Sequence, residues 1–416
     1  MDSIASTSAP TRPRVWPAEG LTRVPYWVYQ DEGIYAREQE KIFRGASWSF
    51  LCLDAELPGP NTYRTSDIGD MPVVVTRDAE GKLHAFENRC AHRGALLALK
   101  RSGEAKEIAC IYHNWTYDLK GNLQGVAFRR GIAGKGGMPA DAKPECNAPR
   151  KLRLELYHGV VFGTLSNETP PMEDYLGPEV AAKFKRVMNR PVKPLGGYTQ
   201  ILNSNWKLYL ENVKDSYHAS LLHLFFAKFR INRLTHKGGV LVGGDGGSHV
   251  SFSHEGTSSG DEYEKAGLRS AAGGFALEAP QLVASVDEWG DGGTIQILGM
   301  FPGFVLQQIK NCLAVRRVVP RGVNQTELLW TVFGYGDDDE AMLQRRLLQA
   351  NLIGPAGFIS MEDGAATGFV QRGVAGAHDR NSFVEMGGAG VASDESRVTE
   401  TSVRGFWQAW RRRMEI

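Results

Sequence analysis

The sequence lacks the features that mark membrane, secreted and nucleic-acid-binding proteins. It has no apolar run near the roughly twenty residues that cross a bilayer, and its first segment, MDSIASTSAPTRPRVWPAEG, has no apolar core of a secretory signal. Its 48 Lys and Arg balance 47 Asp and Glu, which argues against nucleic acid or an anionic membrane as a partner. We therefore expect a cytoplasmic protein that binds small molecules and other proteins.

Cysteine is also scarce, with five residues in 416. An odd, small number is not a disulfide framework. Cys52, Cys146 and Cys312 are scattered along the chain and are interpreted as free thiols. The other two, Cys90 and Cys110, each lie next to a histidine.

The length predicts two domains of unequal size in an α+β fold. Residues 1–24 are predicted to be a flexible arm, and 25–44 an amphipathic helix that packs with the C-terminal domain. Short alternating runs between turn residues predict an antiparallel β domain over 45–166. Residues 167–416 are expected to form this larger C-terminal domain, in which an antiparallel sheet is backed by helices.

Within this second domain the alternating and helical periodicities predict individual elements. The Gly-rich stretch 238–248 lacks the spacing of a phosphate-binding loop and is interpreted as a mobile loop. The predicted strands are 197–203, 248–254, 294–309, 313–319 and 326–335, and the predicted helices lie near 205–224, 338–351 and 399–413.

The strongest motif is Cys90-Ala91-His92 followed by Cys110-Ile111-Tyr112-His113. Two thiolates and two imidazoles on neighbouring loops form the ligand set of a Rieske 2Fe-2S centre. The same four residues also suit a Cys2His2 zinc site in a binding module. Both interpretations predict a metal centre here.

A second candidate centre lies in Glu211 to His223, ENVKDSYHASLLH. His218 and His223 offer two imidazole ligands, and Asp215 offers an acidic partner. Side chains five apart on a regular helix diverge by about 140°, so a shared metal requires a π-like widening or a helix end. A purely electron-transferring Rieske protein would not need this second site.

Together these motifs resemble the large subunit of the Rieske non-haem iron ring-hydroxylating oxygenases, whose signature reads here CAHRGALLALKRSGEAKEIACIYHNWTY. The resemblance implies a 2Fe-2S cluster on Cys90, His92, Cys110 and His113. It also implies a mononuclear Fe(II) on His218, His223 and a carboxylate from GPAGFISMED, which we assign to Asp363, with Glu362 as the alternative.

The resemblance also implies how electrons reach the iron. Asp215 is expected to bridge to His113 of an adjacent subunit in a homotrimer or an α3β3 assembly with a small β subunit. A reductase, possibly with a ferredoxin, would pass on electrons from NAD(P)H.

The substrate is predicted from arginines. Arg316 and Arg317 are adjacent in the apolar run LAVRRVV, so one of them faces the interior and needs an anion, either a substrate carboxylate or a structural acid. Arg397 is either a surface residue or a second cationic contact.

Within the family, the resemblance is strongest to the members that act on terephthalate, in which two arginines matching Arg316 and Arg397 hold the two carboxylates. We therefore expect cis-dihydroxylation of terephthalate. The alternative is monohydroxylation or dihydroxylation of a monocarboxylate such as salicylate or anthranilate. The loop 236–280 is expected to line or cover the pocket. His249 and His254 in this loop either contact the substrate or face solvent, and we favour the second interpretation.

Overall fold

The structure is a computed structural model of the chain. It describes residues 14–229, 231–254, 261–268, 277–354 and 357–416. The first part of the predicted arm, much of the loop 236–280, and Pro355 and Ala356 of the GPAGF segment lie outside these ranges.

The described part of the predicted arm is packed against the protein. Trp16 is buried and lies against Trp407 and Trp410, with ring centroids 5.6 and 6.0 Å away. Arg14 forms an ion pair with Asp31, whose side chain also caps the first α-helix. A buried tryptophan therefore anchors residues that the Ser- and Pro-rich composition had suggested to be free.

Residues 49–164 form three small antiparallel sheets with strand orders β5-β4-β3-β6, β7-β8-β9 and β10-β11-β2. Two turns in this region, Asp78 to Gly81 and Asp118 to Gly121, are each closed by a 3.0 Å backbone hydrogen bond. The strands to this point are β1 (Arg23–Pro25), β2 (Ser49–Leu53), β3 (Thr62–Ile68), β4 (Met71–Arg77), β5 (Leu83–Glu87), β6 (Ser102–Glu104), β7 (Ile108–Ala109), β8 (Thr116–Tyr117), β9 (Leu123–Gly125), β10 (Arg153–Tyr157) and β11 (Val160–Thr164).

The larger part of the chain is built on one antiparallel sheet with the order β12-β18-β17-β16-β15-β14-β13. Strands lie in all five predicted regions, but the region 294–309, predicted as one strand, forms two that pair with each other. The strands are β12 (Val192–Leu202), β13 (Gly238–Gly243), β14 (Ser248–His254), β15 (Gly293–Met300), β16 (Phe304–Ile309), β17 (Cys312–Pro320) and β18 (Thr326–Tyr335), while β19 (Asn381–Phe383) pairs separately with β1.

The prediction of a mobile loop at 238–248 is wrong, because β13 and β14 form a hairpin there. The glycines permit close packing: a Cβ on Gly238 would collide with the Phe252 carbonyl oxygen, and one on Gly239 would lie 2.6 Å from that of Asp394.

The three predicted helical regions are confirmed, and a long helix that the sequence did not predict, α9, packs on α4 and β12. The helices are α1 (Glu32–Glu38), α2 (Met172–Leu176), α3 (Pro178–Val187), α4 (Trp206–Lys214), α5 (Ala219–Leu222), α6 (Leu224–Lys228), α7 (Asp261–Lys265), α8 (Glu340–Ile353), α9 (Phe358–Gly373) and α10 (Thr401–Met414). None of the helices in the described ranges is long and apolar enough to cross a membrane.

A buried ion pair fixes α4 to the N-terminal segment. Lys207 on α4 lies 2.7 Å from Glu38 on α1, and both side chains are fully buried. Trp206 and Trp410 donate their indole N–H groups to the same carboxylate, each at 2.8 Å. These contacts fix the position of α4, the helix that precedes the second candidate centre.

Candidate metal centres and the adjoining cavity

The first candidate centre is built from two loops of the same design. In one, the N–H of Gly94 donates to the Cys90 carbonyl at 3.0 Å, and in the other the N–H of Asn114 donates to the Cys110 carbonyl at 2.9 Å. Gly94 and Asn114 have φ values of 74° and 54°. This left-handed conformation suits glycine and asparagine and turns each loop back after its Cys/His pair.

The loops bring all four predicted residues together. Cys90 and Cys110 are buried, whereas His92 is exposed and its Nδ1 lies 3.2 Å from that of His113. Burial raises the pKa of the Cys90 thiol, so a cationic centre is needed to hold it as a thiolate. Two buried thiols and two imidazoles at the surface fit a 2Fe-2S cluster in which the cysteines bind one iron and the histidines bind the other.

Neighbouring aromatic residues support this arrangement. The Trp115 ring stacks on His92 with centroids 4.6 Å apart. The Tyr117 hydroxyl accepts from the backbone N–H of Ala91 at 2.8 Å and lies 3.2 Å from the Cys90 sulfur. Ile111, next to Cys110, is 76% exposed, so the imidazoles open onto a partly apolar surface.

The second candidate centre lies at a break in the helical segment. Helix α4 ends at Lys214, Asp215 is extended, and the single turn α5 is flanked by His218 and His223. The predicted requirement for a helix end is thus met without a π-like widening.

The two histidines meet a carboxylate from α9. One oxygen of Asp363 lies 3.4 Å from Nε2 of His218 and 3.2 Å from Nε2 of His223. One ligand atom from each of the three residues lies within 4.8 Å of the other two. Two imidazoles and a carboxylate at this separation suit a single iron ion.

Each imidazole also has a second carboxylate near its Nδ1 atom, on the opposite side of the ring from Nε2. Glu362 lies 2.8 Å from Nδ1 of His223, on the side away from Asp363. Asp215 lies 3.5 Å from Nδ1 of His218, and its other oxygen accepts the backbone N–H groups of Tyr217 and His218. Both rings therefore present Nε2 to the same point.

These contacts alter the protonation of the metal-free site. Burial lowers the pKa of His218, but hydrogen bonds to Asp215 and Asp363 outweigh it and raise the pKa to about 10. Burial raises the pKa of Asp363, yet hydrogen bonds to the two histidines bring it far below its usual range. The free triad therefore holds protons that a bound cation would displace.

Asn212 is a neighbour that the sequence analysis missed. Its side-chain nitrogen donates to Asp363 at 3.2 Å and lies 3.4 Å from Nε2 of His218. Its position three residues before Asp215 on α4 was the available signal, because residues three apart share a helix face.

A cavity adjoins this triad. Most of the residues that line the cavity lie on strands of the seven-stranded sheet or on the helices that pack against this sheet. Its apolar lining includes Phe226, Ile295, Ile297, Ile309, Ile353 and Ile359, and its polar lining includes Asn232, Gln307, Arg316 and Arg397.

Arg316 and Arg317 alternate as predicted. Arg316 faces the cavity, where it donates to the Tyr209 hydroxyl at 2.7 Å and to Gln307, and lies over the Trp330 ring. Arg317 points away and donates to Ser66. Arg316 is therefore the interior arginine of the pair.

The interpretation of Arg397 as a surface residue is wrong, since its side chain is buried. It donates to Asn232 and to the Arg233 carbonyl, and burial lowers its pKa to about 10. The groups that accept hydrogen bonds from Arg316 and Arg397 are all neutral. Two cations thus line one cavity without a carboxylate partner among the described residues.

The loop prediction also needs correction at His249. This residue is buried on β14 beside Lys214, at 3.1 Å, and does not face solvent. Ser251 and Phe252 of the same strand line the cavity, whereas 255–260 and 269–276 lie outside the described residues.

Comparisons with known proteins cover nearly the whole chain. Residues 47–133 match the Rieske [2Fe-2S] domain, and residues 181–416 match the ring hydroxylating alpha subunit catalytic domain. The chain is 52% identical to subunit alpha 2 of the terminal oxygenase component of terephthalate 1,2-dioxygenase from Comamonas sp, over 96% of this chain and 97% of the relative.

Two further relatives differ in substrate. The chain is 42% identical to the large subunit of anthranilate 1,2-dioxygenase from Burkholderia cepacia, covering 96% of this chain and 95% of the relative. It is 39% identical to the large oxygenase component of salicylate 5-hydroxylase from Ralstonia sp, covering 96% of each.

A solved structure of naphthalene 1,2-dioxygenase with indole in its active site superimposes with a TM-score of 0.77. At 23% identity, over 95% of this chain and 92% of that one, it shows the same α+β fold. The predicted fold class is confirmed.

The two matched domains imply the cofactors, which are a Rieske 2Fe-2S cluster and a mononuclear iron that receive electrons from a reductase. The donor sets described above fit both groups. The chain therefore belongs to the ring-hydroxylating oxygenases, as an alpha subunit with an N-terminal Rieske domain and a C-terminal catalytic domain.

Proposed function

We propose that this subunit binds terephthalate and adds both atoms of dioxygen to its ring as a cis-dihydrodiol. The observation that carries the proposal is the pair of buried arginines, Arg316 and Arg397, which line the cavity at the triad and have only neutral partners. A buried guanidinium requires an anion, and two of them suit a dicarboxylate. The similarity to a terephthalate oxygenase supports the same choice.

The proposal assigns the metal ligands as predicted from the sequence. Cys90, His92, Cys110 and His113 hold the cluster. His218, His223 and Asp363 hold the iron. Glu362 is not a ligand, because its carboxylate contacts Nδ1 of His223 whereas Asp363 contacts Nε2. When bound, the two groups supply electron transfer and dioxygen activation.

The residues of the chain orient the substrate and keep the site dry. The arginines fix the ring between them, and the isoleucine-rich wall excludes water from the reacting face. Asp215 lies 3.5 Å from Nδ1 of His218, and its negative charge favours the tautomer that carries the proton on Nδ1 and leaves Nε2 for the metal.

The proposed electron path runs between subunits. His113 and Asp215 are both partly exposed, and Ile111, two residues before His113, is exposed and apolar, so both sites can be covered by a neighbouring copy. We propose a homotrimer or an α3β3 assembly in which His113 of one subunit meets Asp215 of the next. A reductase, with or without a ferredoxin, would deliver electrons from NAD(P)H.

A substrate panel tests the proposal. Oligomer reconstituted with its reductase should oxidise terephthalate in preference to salicylate and anthranilate. Arg316→Ala and Arg397→Ala should each raise the KM for terephthalate by about tenfold or more, as expected for a lost charge-assisted hydrogen bond.

A preference for salicylate or anthranilate would contradict the dicarboxylate assignment. It would instead support hydroxylation of a monocarboxylate, which the 42% and 39% identical relatives make the second candidate. In that case one of the two arginine variants should leave KM unchanged.

A further inference from the structure

We propose that Gln307 and Trp330 complete the carboxylate site at Arg316, where they donate hydrogen bonds to the same substrate carboxylate. This inference rests on the proposed function and names two specificity-determining residues for it.

The register places the three side chains on one face of the sheet. Trp330 on β18 lies directly opposite Arg316 on β17. Gln307 on β16 is paired with Ala314, two residues before Arg316, and is therefore its diagonal neighbour. All three line the cavity that adjoins the triad.

Each of the three residues has a buried N–H donor without an acceptor in the described structure. These are the amide nitrogen of Gln307, Nε of Arg316 and the indole nitrogen of Trp330, and the residues are 0%, 5% and 2% exposed. Unpaired buried donors are costly, and several at one site point to a missing acceptor. A carboxylate is acceptor-only and can take several hydrogen bonds.

The orientation of the Gln307 amide is fixed by its neighbour. Its oxygen accepts from the Arg316 guanidinium, and the opposite orientation would set two donors against each other. The amide NH2 group is therefore left for another partner. The guanidinium itself lies over the Trp330 ring at 4.4 Å, which holds it in place from one side.

The site at Arg397 is built differently. There the guanidinium is already engaged by the Asn232 side chain and the Arg233 carbonyl, and only its Nε has no partner.

The Arg316 guanidinium is likewise engaged by Tyr209 and Gln307 and has a free Nε. The difference is that Gln307 and Trp330, which also line the cavity, add two free N–H donors at the Arg316 end, which makes it the stronger carboxylate site.

Binding of terephthalate to the iron-loaded oligomer, measured by calorimetry, tests the inference. Gln307→Met removes the amide at similar length and should weaken binding by about tenfold, as expected for a lost hydrogen bond to a charged group. Trp330→Phe removes the indole N–H but leaves an aromatic ring next to Arg316, and should weaken binding severalfold. The KM of both variants should rise with kcat largely retained.

The matched control is Gln308→Met on the same strand. Gln308 is also buried, but its amide donates to the carbonyls of Gly293 and Lys310. This variant should bind terephthalate as the wild type does. Iron content and the visible cluster spectrum confirm that each protein is loaded and folded.

Unchanged terephthalate binding in both Gln307→Met and Trp330→Phe would overturn the inference while leaving the proposed function standing. If Gln307→Met does not fold, Trp330→Phe alone decides. Failure of the wild type to bind terephthalate would refute the proposed function, and the inference with it.

Discussion

At the scale of single residues, neighbours in the sequence have different roles. Arg316 faces the cavity whereas Arg317 contacts Ser66, and Asp363 meets both histidines whereas Glu362 lies behind one of them. For Arg316 and Arg317, the alternation of side chains along a strand predicted that one of the two would face the interior. Alternation does not say which member faces the site, since that depends on how the element packs, and the assignments of Arg316 and Asp363 came from the family resemblance.

The mononuclear site gives the first prediction. His218→Ala should remove the iron that the triad holds and leave the cluster, because the cluster ligands lie on separate loops. Iron per chain should fall while the visible cluster absorption is retained. Loss of both together would show that His218 is needed for folding, and would contradict its assignment as a ligand.

The assignment of Glu362 gives the second prediction. Glu362→Ala should weaken iron binding by about 10- to 100-fold, the usual cost of losing the partner that orients a ligating histidine. Glu362→Gln keeps an acceptor for His223 and should restore much of the affinity. Competition with a chelator measures both effects, and Glu340→Ala, at an exposed carboxylate, is the control.

If Glu362 were the ligand, its alanine variant would lose the iron entirely and Asp363→Ala would keep it. This pattern would reverse the assignment of the two carboxylates.

At the scale of elements, alternation predicted the sheet well but did not predict α9. This helix, FISMEDGAATGFVQRG, carries three glycines and no regular apolar period, so propensity argues against it. A Cβ on Gly364 would lie 3.0 Å from the Leu202 side chain on β12, so the glycine allows the helix to pack closely on the sheet. The helix is thus determined by tertiary contacts that a single sequence does not display.

A partly buried carboxylate that links its own helix to two other segments gives the third prediction. Glu211 on α4 accepts from the Tyr29 hydroxyl at 2.9 Å and from the Trp407 indole on α10. Burial raises its pKa to about 7 from an ordinary 4.5, although these hydrogen bonds lower it. The folded protein therefore holds a proton that the unfolded chain releases between pH 4.5 and 7.

The free energy of unfolding should accordingly fall as the pH rises through that range. Glu211→Gln removes this dependence and should be more stable than the wild type at pH 8, by at most about 3 kcal/mol, but not at pH 5. Thermal unfolding at the two pH values measures the difference. An equal effect of the substitution at both would contradict the raised pKa, and exposed Glu179→Gln is the control.

At the scale of the whole molecule, the proposed path between subunits gives the fourth prediction. His92→Ala and His218→Ala should each be inactive alone, since one lacks the cluster and the other the iron. Coexpressed, they should form mixed rings in which an intact cluster faces an intact iron at about one quarter of the interfaces. Recovered turnover near that fraction supports the path.

Mixing the two variants after separate assembly is the control and should restore nothing unless subunits exchange. Absence of turnover in coexpressed rings that contain both chains would place the electron path within a single subunit.

The most direct test of the proposed function is turnover of terephthalate under isotopically labelled dioxygen. Mass spectrometry of the product then counts the labelled oxygen atoms. The pair of arginines beside the triad predicts a dihydrodiol that retains both carboxylates and carries two labelled oxygen atoms. A product with a single labelled oxygen, or no product from terephthalate while a monocarboxylate is oxidised, would contradict the proposed function.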